Sequence, residues 1–290
     1  MSMLLTCLFV LGVEAQTPKM DESLIVTTDW LAKNINDETL VILHVGDKTE
    51  YLAEHIPRAQ FIQTSDVAIS AQGLTLELPP VEQLKATLER FGVSNNSRIV
   101  LYFGKDWVSP TTRIFMTLDY MGLGGRTSVL DGGLPAWRSE GKPVTEEIVE
   151  PKKGKLTPHP KDLVVDAAWV KSNLSNSNVR ILDARAPQFY TGAELGRMPR
   201  GGHIPTARNI PFSSLIEESK KFKSVTTLQE LFKEAEVKPG STIATYCHIG
   251  QQATLLYFVA RYLGYDARVY DGSFEDWSNR SELPVEKSKQ

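Results

Sequence analysis

Residues 242–253 read Thr-Ile-Ala-Thr-Tyr-Cys-His-Ile-Gly-Gln-Gln-Ala. Residues 242–246 have the length and the β-branched, aromatic content of a strand. Six loop residues follow, Cys247 to Gln252. From Ala253 to Leu263, Leu255, Phe258, Val259 and Tyr262 fall at i, i+3, i+4 and i+7, which predicts a helix, and Gly264 supplies its stop. Ile181-Leu182 and Ala267 to Tyr270 are further short strand-like runs. Strands alternating with helices predict an α/β fold with a mainly parallel sheet. In such sheets ligands bind beyond the carboxyl ends of strands, and Cys247 stands at such an end.

The pattern around this stretch occurs twice. Val26 to Leu31 (VTTDWL) matches Val165 to Val170 (VDAAWV), and Tyr51 matches Tyr190. His55-Ile56-Pro57 recurs as His203-Ile204-Pro205, each followed two residues later by alanine. Arg98 to Tyr102 matches Thr242 to Tyr246. Val129 to Gly132 with Trp137 matches Val269 to Gly272 with Trp277, and Pro143-Val144 matches Pro284-Val285. Recurrence of whole elements across loops of unequal length indicates a tandem duplication. Residues 149–161, polar with three prolines and a glycine, read as the linker. The chain is thus expected to comprise residues 20–148, the linker and residues 162–290.

Composition excludes several classes. The 290 residues suit two domains at roughly 150 residues each, and 41% hydrophobic with 23% charged residues is a globular balance. Two cysteines and five histidines exclude a disulfide framework and a multi-cysteine metal site, so no metal is expected. A net charge of −3 gives no basic surplus for nucleic acid. No apolar run reaches the ~18 residues of a membrane span. Residues 3–13 (MLLTCLFVLGV) followed by Val13-x-Ala15 read as a secretory signal over residues 1–15, although no Lys or Arg precedes them. Export to the periplasm or exterior is expected if it is cleaved, and a cytoplasmic location if it is not. Cleavage would remove Cys7 and leave Cys247 as one thiol, either buried packing or a reactive group.

Its position favours the reactive reading. A helix N-terminus offers unsatisfied N–H groups and the positive end of a dipole, which favour a thiolate. Gly250 permits the loop to curl so that its amides face the sulfur. The first copy has Tyr102 to Pro110 (YFGKDWVSP), without a cysteine, in the stretch that corresponds to the cysteine loop, and Leu43-His44-Val45-Gly46 in place of Leu182-Asp183-Ala184-Arg185. Packing residues belong in both copies. A thiol, a carboxylate and an arginine confined to one copy point to chemistry there.

Together the duplication, Asp183-Ala184-Arg185, the Gly202 to Ala207 segment, the cysteine loop and Tyr270 to Trp277 resemble a tandem-domain rhodanese sulfurtransferase. The resemblance spans nearly the whole chain after residue 15. It implies two tandem rhodanese-like domains, the first without an active cysteine. It also implies that Cys247 takes sulfur from a small donor such as thiosulfate and passes it to cyanide, a thiol or a thiol protein through a persulfide, without a cofactor. His248, Ile249, Gly250, Gln251 and Gln252 would cradle the sulfur anion. Arg185 would anchor an anionic donor, with an ion pair to Asp183 as its other reading, and Asp183 would orient its neighbours.

The loop departs from the family's usual patterns. Thiosulfate-using members carry two basic residues after the cysteine; 3-mercaptopyruvate-using members carry Gly and then Ser or Thr. Here His248 and Ile249 stand there. A protonated His248 would put one positive charge beside the sulfur, which favours thiosulfate as donor and leaves 3-mercaptopyruvate second. A carrier of persulfide for a protein partner is the non-catalytic alternative. Phosphatase or arsenate chemistry would need an arginine six residues after the cysteine, where Ala253 stands. Arg197 and Arg200 read as solvated loop charges, His55 and His203 as loop anchors, and Trp137 and Trp277 as packing.

Overall fold

The structure, a computed structural model, describes residues 19–105 and 107–288. The expected signal over residues 1–15 lies outside the described residues. The first half contains strands β1 (Ile25–Val26), β2 (Leu40–Val45), β3 (Gln60–Ile62), β4 (Ile69–Ala71), β5 (Leu74–Glu77), β6 (Arg98–Phe103) and β7 (Thr127–Leu130). Its helices are α1 (Thr28–Asn34), α2 (Lys48–Ala53), α3 (Val81–Arg90), α4 (Val108–Tyr120) and α5 (Gly133–Ser139). The second half contains β8 (Val164–Val165), β9 (Val179–Asp183), β10 (Arg208–Asn209), β11 (Thr242–Tyr246) and β12 (Asp266–Tyr270). With them come α6 (Ala167–Ser172), α7 (Pro187–Thr191), α8 (Val225–Glu234), α9 (Gln252–Tyr262) and α10 (Ser273–Asn279).

Each half builds a five-stranded parallel sheet, in the order β1-β7-β6-β2-β3 and β8-β12-β11-β9-β10. The α/β reading therefore holds, and the sheets are equivalent strand for strand. The central strands are covered on both faces. In β6, Ile99, Leu101 and Phe103 face a core shared by the two halves, while Val100 and Tyr102 face a local one. In β11 and just beyond it, Ile243 and Cys247 face the shared core, and Ala244 and Tyr246 the local one. That period-2 alternation of apolar residues on both sides is what a parallel sheet demands.

The repeated residues do equivalent work. Trp137 Nε1 donates to the Pro143 carbonyl at 2.8 Å and Trp277 Nε1 to the Pro284 carbonyl at 2.7 Å. The hydroxyls of Tyr102 and Tyr246 accept the N–H groups of Ile56 and Ile204, each at 3.1 Å. His55 pairs with the carbonyls of Tyr51 and Glu147, and His203 with that of Tyr190, so both are loop anchors. Buried polar rings need such partners, which accounts for their presence in both copies.

α4 and α9 pack against one another across the two halves. Phe115 and Phe258 meet edge to face at 4.7 Å, and the Tyr257 hydroxyl donates to Asp119 at 2.7 Å. Residues 149–161 form no regular element, as their prolines require. They are nevertheless pinned: Gly154 N donates to the Glu89 carbonyl, His159 N to that of Met121, and Leu156 is buried. Among the described residues no helix is long and apolar enough to cross a membrane.

The β4–β5 hairpin of the first half reaches the second, where Thr75 donates to the Glu275 carboxylate through both its N–H and its hydroxyl. Glu77 at its base is half-buried, and burial, then Asp271, push its carboxyl up to about 7. The unfolded carboxyl titrates near 4.5, so stability falls as pH rises from there through about 7. With solvent screening the loss is about 1–2 kcal/mol. Glu77→Gln is therefore expected to match the parent in thermal melts at pH ~4.5 and to melt higher at pH ~8. Equal melting temperatures at both pH values would remove this account.

Candidate active site

β11 delivers Cys247 to the carboxyl edge of the second sheet, where the thiol residue is only 1% exposed. The loop behind it turns at Gly250, whose φ of +82° is a left-handed conformation, and α9 begins at Gln252. Several of the loop's backbone groups have partners elsewhere. Cys247 N donates to Ser273 Oγ at 3.2 Å, and the carbonyls of Cys247 and His248 accept from Phe274 N and Glu275 N. The Gly250 carbonyl accepts from Arg113 at 3.3 Å, and the Gln251 carbonyl accepts from the Thr254 hydroxyl at 2.7 Å. The N–H groups of His248, Ile249, Gly250, Gln251 and Gln252 have no acceptor among the described residues. Five N–H groups without an acceptor, in the loop that follows a buried thiol and at the start of a helix, are groups that can bind an anion.

Gly250 has no room for a side chain. A Cβ there would lie 2.6 Å from the Asp271 carbonyl oxygen and 3.2 Å from Arg113 Nη1. Gly250→Ala is expected to destabilise the chain by about 2–4 kcal/mol, combining left-handed strain with the clash. It should also abolish any sulfur uptake. A variant with parental melting and uptake would show that the loop tolerates another path.

The cavity over Cys247 measures about 190 Å³ and is lined by Trp107, Cys247, His248, Ile249, Gln251 and Gln252. All the loop residues read from the sequence except Gly250 therefore border it. Trp107, 56% exposed, comes from the first half and was not read from the sequence. It lies in the stretch that replaces the cysteine loop there, and that departure was the available signal. A second cavity of about 440 Å³ shares His248 and Ile249 with it and is bordered also by Phe189, Met198 and the exposed Arg197.

Three expectations need correction. His248 does not supply a cation: burial, then the Arg185 charge, push its imidazole down to about 4. It packs edge-on to Phe189 at 4.6 Å as a neutral ring. Arg185 is not an exposed anchor. Only 1% of it is accessible, its Nε and Nη2 bind the fully buried Asp183 carboxylate, and Nη2 also donates to the Gly202 carbonyl. Phe274 covers the guanidinium at 4.0 Å. The ion-pair reading describes this geometry, because both side chains leave the end of β9 into one buried space. Asp183 also accepts from the Arg185 backbone N–H at 2.9 Å. Arg200, finally, is not a solvated charge: it donates to the carbonyls of Trp277, Ser278, Arg280 and Leu283 behind α10.

The equivalent place in the first half is closed to this chemistry. Phe103 stands for Cys247, and His44, held at about 4 by burial, pairs with the Tyr102 hydroxyl where Asp183 would be. No cluster of three or more side chains suited to a metal ion occurs among the described residues.

The sequence profile of the rhodanese-like domain matches residues 27–140 and again residues 166–280. The chain belongs to the rhodanese family. Among rhodanese relatives, the putative thiosulfate sulfurtransferase SseB of Mycobacterium tuberculosis is 30% identical over 81% of this chain and 84% of its own length. The sulfur carrier protein TtuD of Thermus thermophilus is 29% identical over 92% and 97%. The anaerobic ergothioneine biosynthesis enzyme from Chlorobium limicola superposes with a TM-score of 0.80 at 21% identity, over 92% of this chain and 71% of its own. That last likeness bears on the tandem rhodanese fold alone.

Proposed function

We propose that this rhodanese is a sulfurtransferase that carries sulfane sulfur on Cys247, with thiosulfate as donor. The observation that supports this best is a buried thiol at a strand's carboxyl end, followed by a loop with five N–H groups that have no acceptor among the described residues. In the first half-reaction the Cys247 thiolate attacks the outer sulfur of thiosulfate. The new S–S bond forms as the old one breaks, and sulfite departs with its electron pair. The amides hold the resulting persulfide anion as an oxyanion hole holds oxygen. In the second, cyanide or a thiolate attacks the outer sulfur and returns the thiolate, a ping-pong cycle. His248 gives no charge to the donor, so the exposed Arg197 at the adjoining cavity is the cation that would draw the dianion in.

Intact-protein mass after incubation with thiosulfate, and in parallel with 3-mercaptopyruvate, tests the reading. A gain of one sulfur (about 32 Da by atomic mass) from thiosulfate, lost on adding cyanide, is expected. Gain from 3-mercaptopyruvate alone would reverse the donor assignment.

A carrier role has its own support. The cavity over Cys247 has no charged side chain among its lining residues, which suits a protein persulfide better than a small dianion. Multiple turnover in a thiosulfate–cyanide assay favours the enzyme; one stable bound sulfur without turnover favours the carrier. Export through residues 1–15 is likewise our proposal. Intact chain recovered only from cytosol would overturn it.

A further inference from the structure

Arg113 lies on α4 of the first half, yet its guanidinium ends inside the second. It is fully buried. It forms a two-pronged ion pair with Asp271, itself 3% exposed, through Nη1 and through Nη2 at 3.2 Å. Nη1 also donates to the Gly250 carbonyl at 3.3 Å, and Nη2 to the Leu76 carbonyl at 2.8 Å. Leu78 N joins from the same hairpin, donating to Asp271 at 3.2 Å.

Two of the three groups that Arg113 holds belong to the cysteine loop and to the segment that braces it. Gly250 is the turn of the loop. Asp271 opens the segment whose next residues secure the loop's base: Ser273 takes the Cys247 N–H, and Phe274 and Glu275 take the carbonyls of Cys247 and His248. Ser273 is buried with a φ of +52°, a conformation that its surroundings must impose.

We propose that Arg113 is a positioning residue for the sulfur-carrying loop, so that the first half contributes to the site by setting the second half's amide cradle. By holding the Gly250 carbonyl it fixes the direction of the Gln251 N–H, which points the opposite way, since one trans peptide plane carries both. A planar fork with donors on both arms suits this task, because one side chain must satisfy a carboxylate and two carbonyls. The role rests on the persulfide reading for its catalytic consequence but not for its geometry.

The test compares Arg113→Met and Arg113→Lys with the parent in full-length protein. Three quantities are read: thermal melting, sulfur uptake by mass against donor concentration, and the pH profile of Cys247 alkylation by iodoacetamide. For Arg113→Met the saturating rate of uptake is expected to fall about 100-fold, the loss typical of a disturbed oxyanion hole. Its half-saturating donor concentration should change little, and its alkylation profile should move to higher pH. Lysine, which keeps the charge and one arm's reach, should recover about tenfold. A lowered melting temperature alone, with parental uptake and alkylation profile, would reduce Arg113 to an interface brace and overturn the proposal. If Arg113→Met does not fold, Arg113→Lys decides: a profile identical to the parent's overturns it, and a shifted one supports it. Should the parent take up no sulfur from either donor, the persulfide reading fails, while the alkylation profiles still judge Arg113.

Discussion

Cys247→Ser is expected to remain folded and to lose sulfur uptake by about 10⁴-fold or more, because a serine hydroxyl is not ionised at neutral pH and forms no persulfide. No mass gain should appear after thiosulfate or 3-mercaptopyruvate, even on long incubation. The site is 1% exposed and part of the shared apolar core, so a hydroxyl there costs about 1–2 kcal/mol. Cys247→Ala removes that cost and serves as the control for folding. Full activity in either variant would defeat both the enzyme and the carrier readings, since both place the sulfur on this atom.

The second large effect is structural. Asp183 is fully buried and is the carboxylate that neutralises Arg185, itself 1% exposed. Asp183→Ala leaves the guanidinium uncompensated in a dry site, and breaking such a pair costs about 3–5 kcal/mol. Arg185 cannot lose its proton to escape, because its guanidinium is held charged at any working pH. The Gly202 carbonyl and the Phe274 ring face give it only partial compensation. Urea unfolding should therefore show a large drop in midpoint. Replacing both partners, Asp183→Leu with Arg185→Met, should restore most of the stability, because no charge is then stranded. A loss under about 1 kcal/mol for Asp183→Ala would mean that water reaches the pair. Equal losses for the single and double variants would mean that packing, not charge, is at stake.

The two effects separate what the family resemblance ran together. Cys247 and the loop after it lie where the sequence placed them, because a strand, a loop with one glycine and a helix are consecutive in the chain. Local pattern suffices for such a unit. Arg185 was harder to read. An arginine two residues after an aspartate serves equally well as an ion pair or as an anion anchor, and the difference lies in what covers it. Gly202 and Phe274, distant in sequence, do so. The expected His248 cation fails for the same reason: an imidazole keeps its ordinary titration range only in water, and burial, then the Arg185 charge, remove that condition.

Arg113 and Trp107 belong to the half that lacks the thiol; Trp107 lies in the stretch that corresponds to the cysteine loop, while nothing in the spacing of either copy joins Arg113 to Cys247. Periodicity on α4 reports a buried helix without saying that one of its buried positions reaches into the other half. By itself the sequence determined the duplicated α/β framework, the equivalence of the two sheets and a thiol, Cys247, at a strand's carboxyl end. It could do so because strand alternation, helix period and turn residues are properties of neighbours along the chain. Only the tertiary structure decided which charges are buried, which are paired, and that the first half holds the second half's loop. Burial and ion pairing depend on groups brought together from distant parts of the chain, here Arg113 with Gly250 and Asp271.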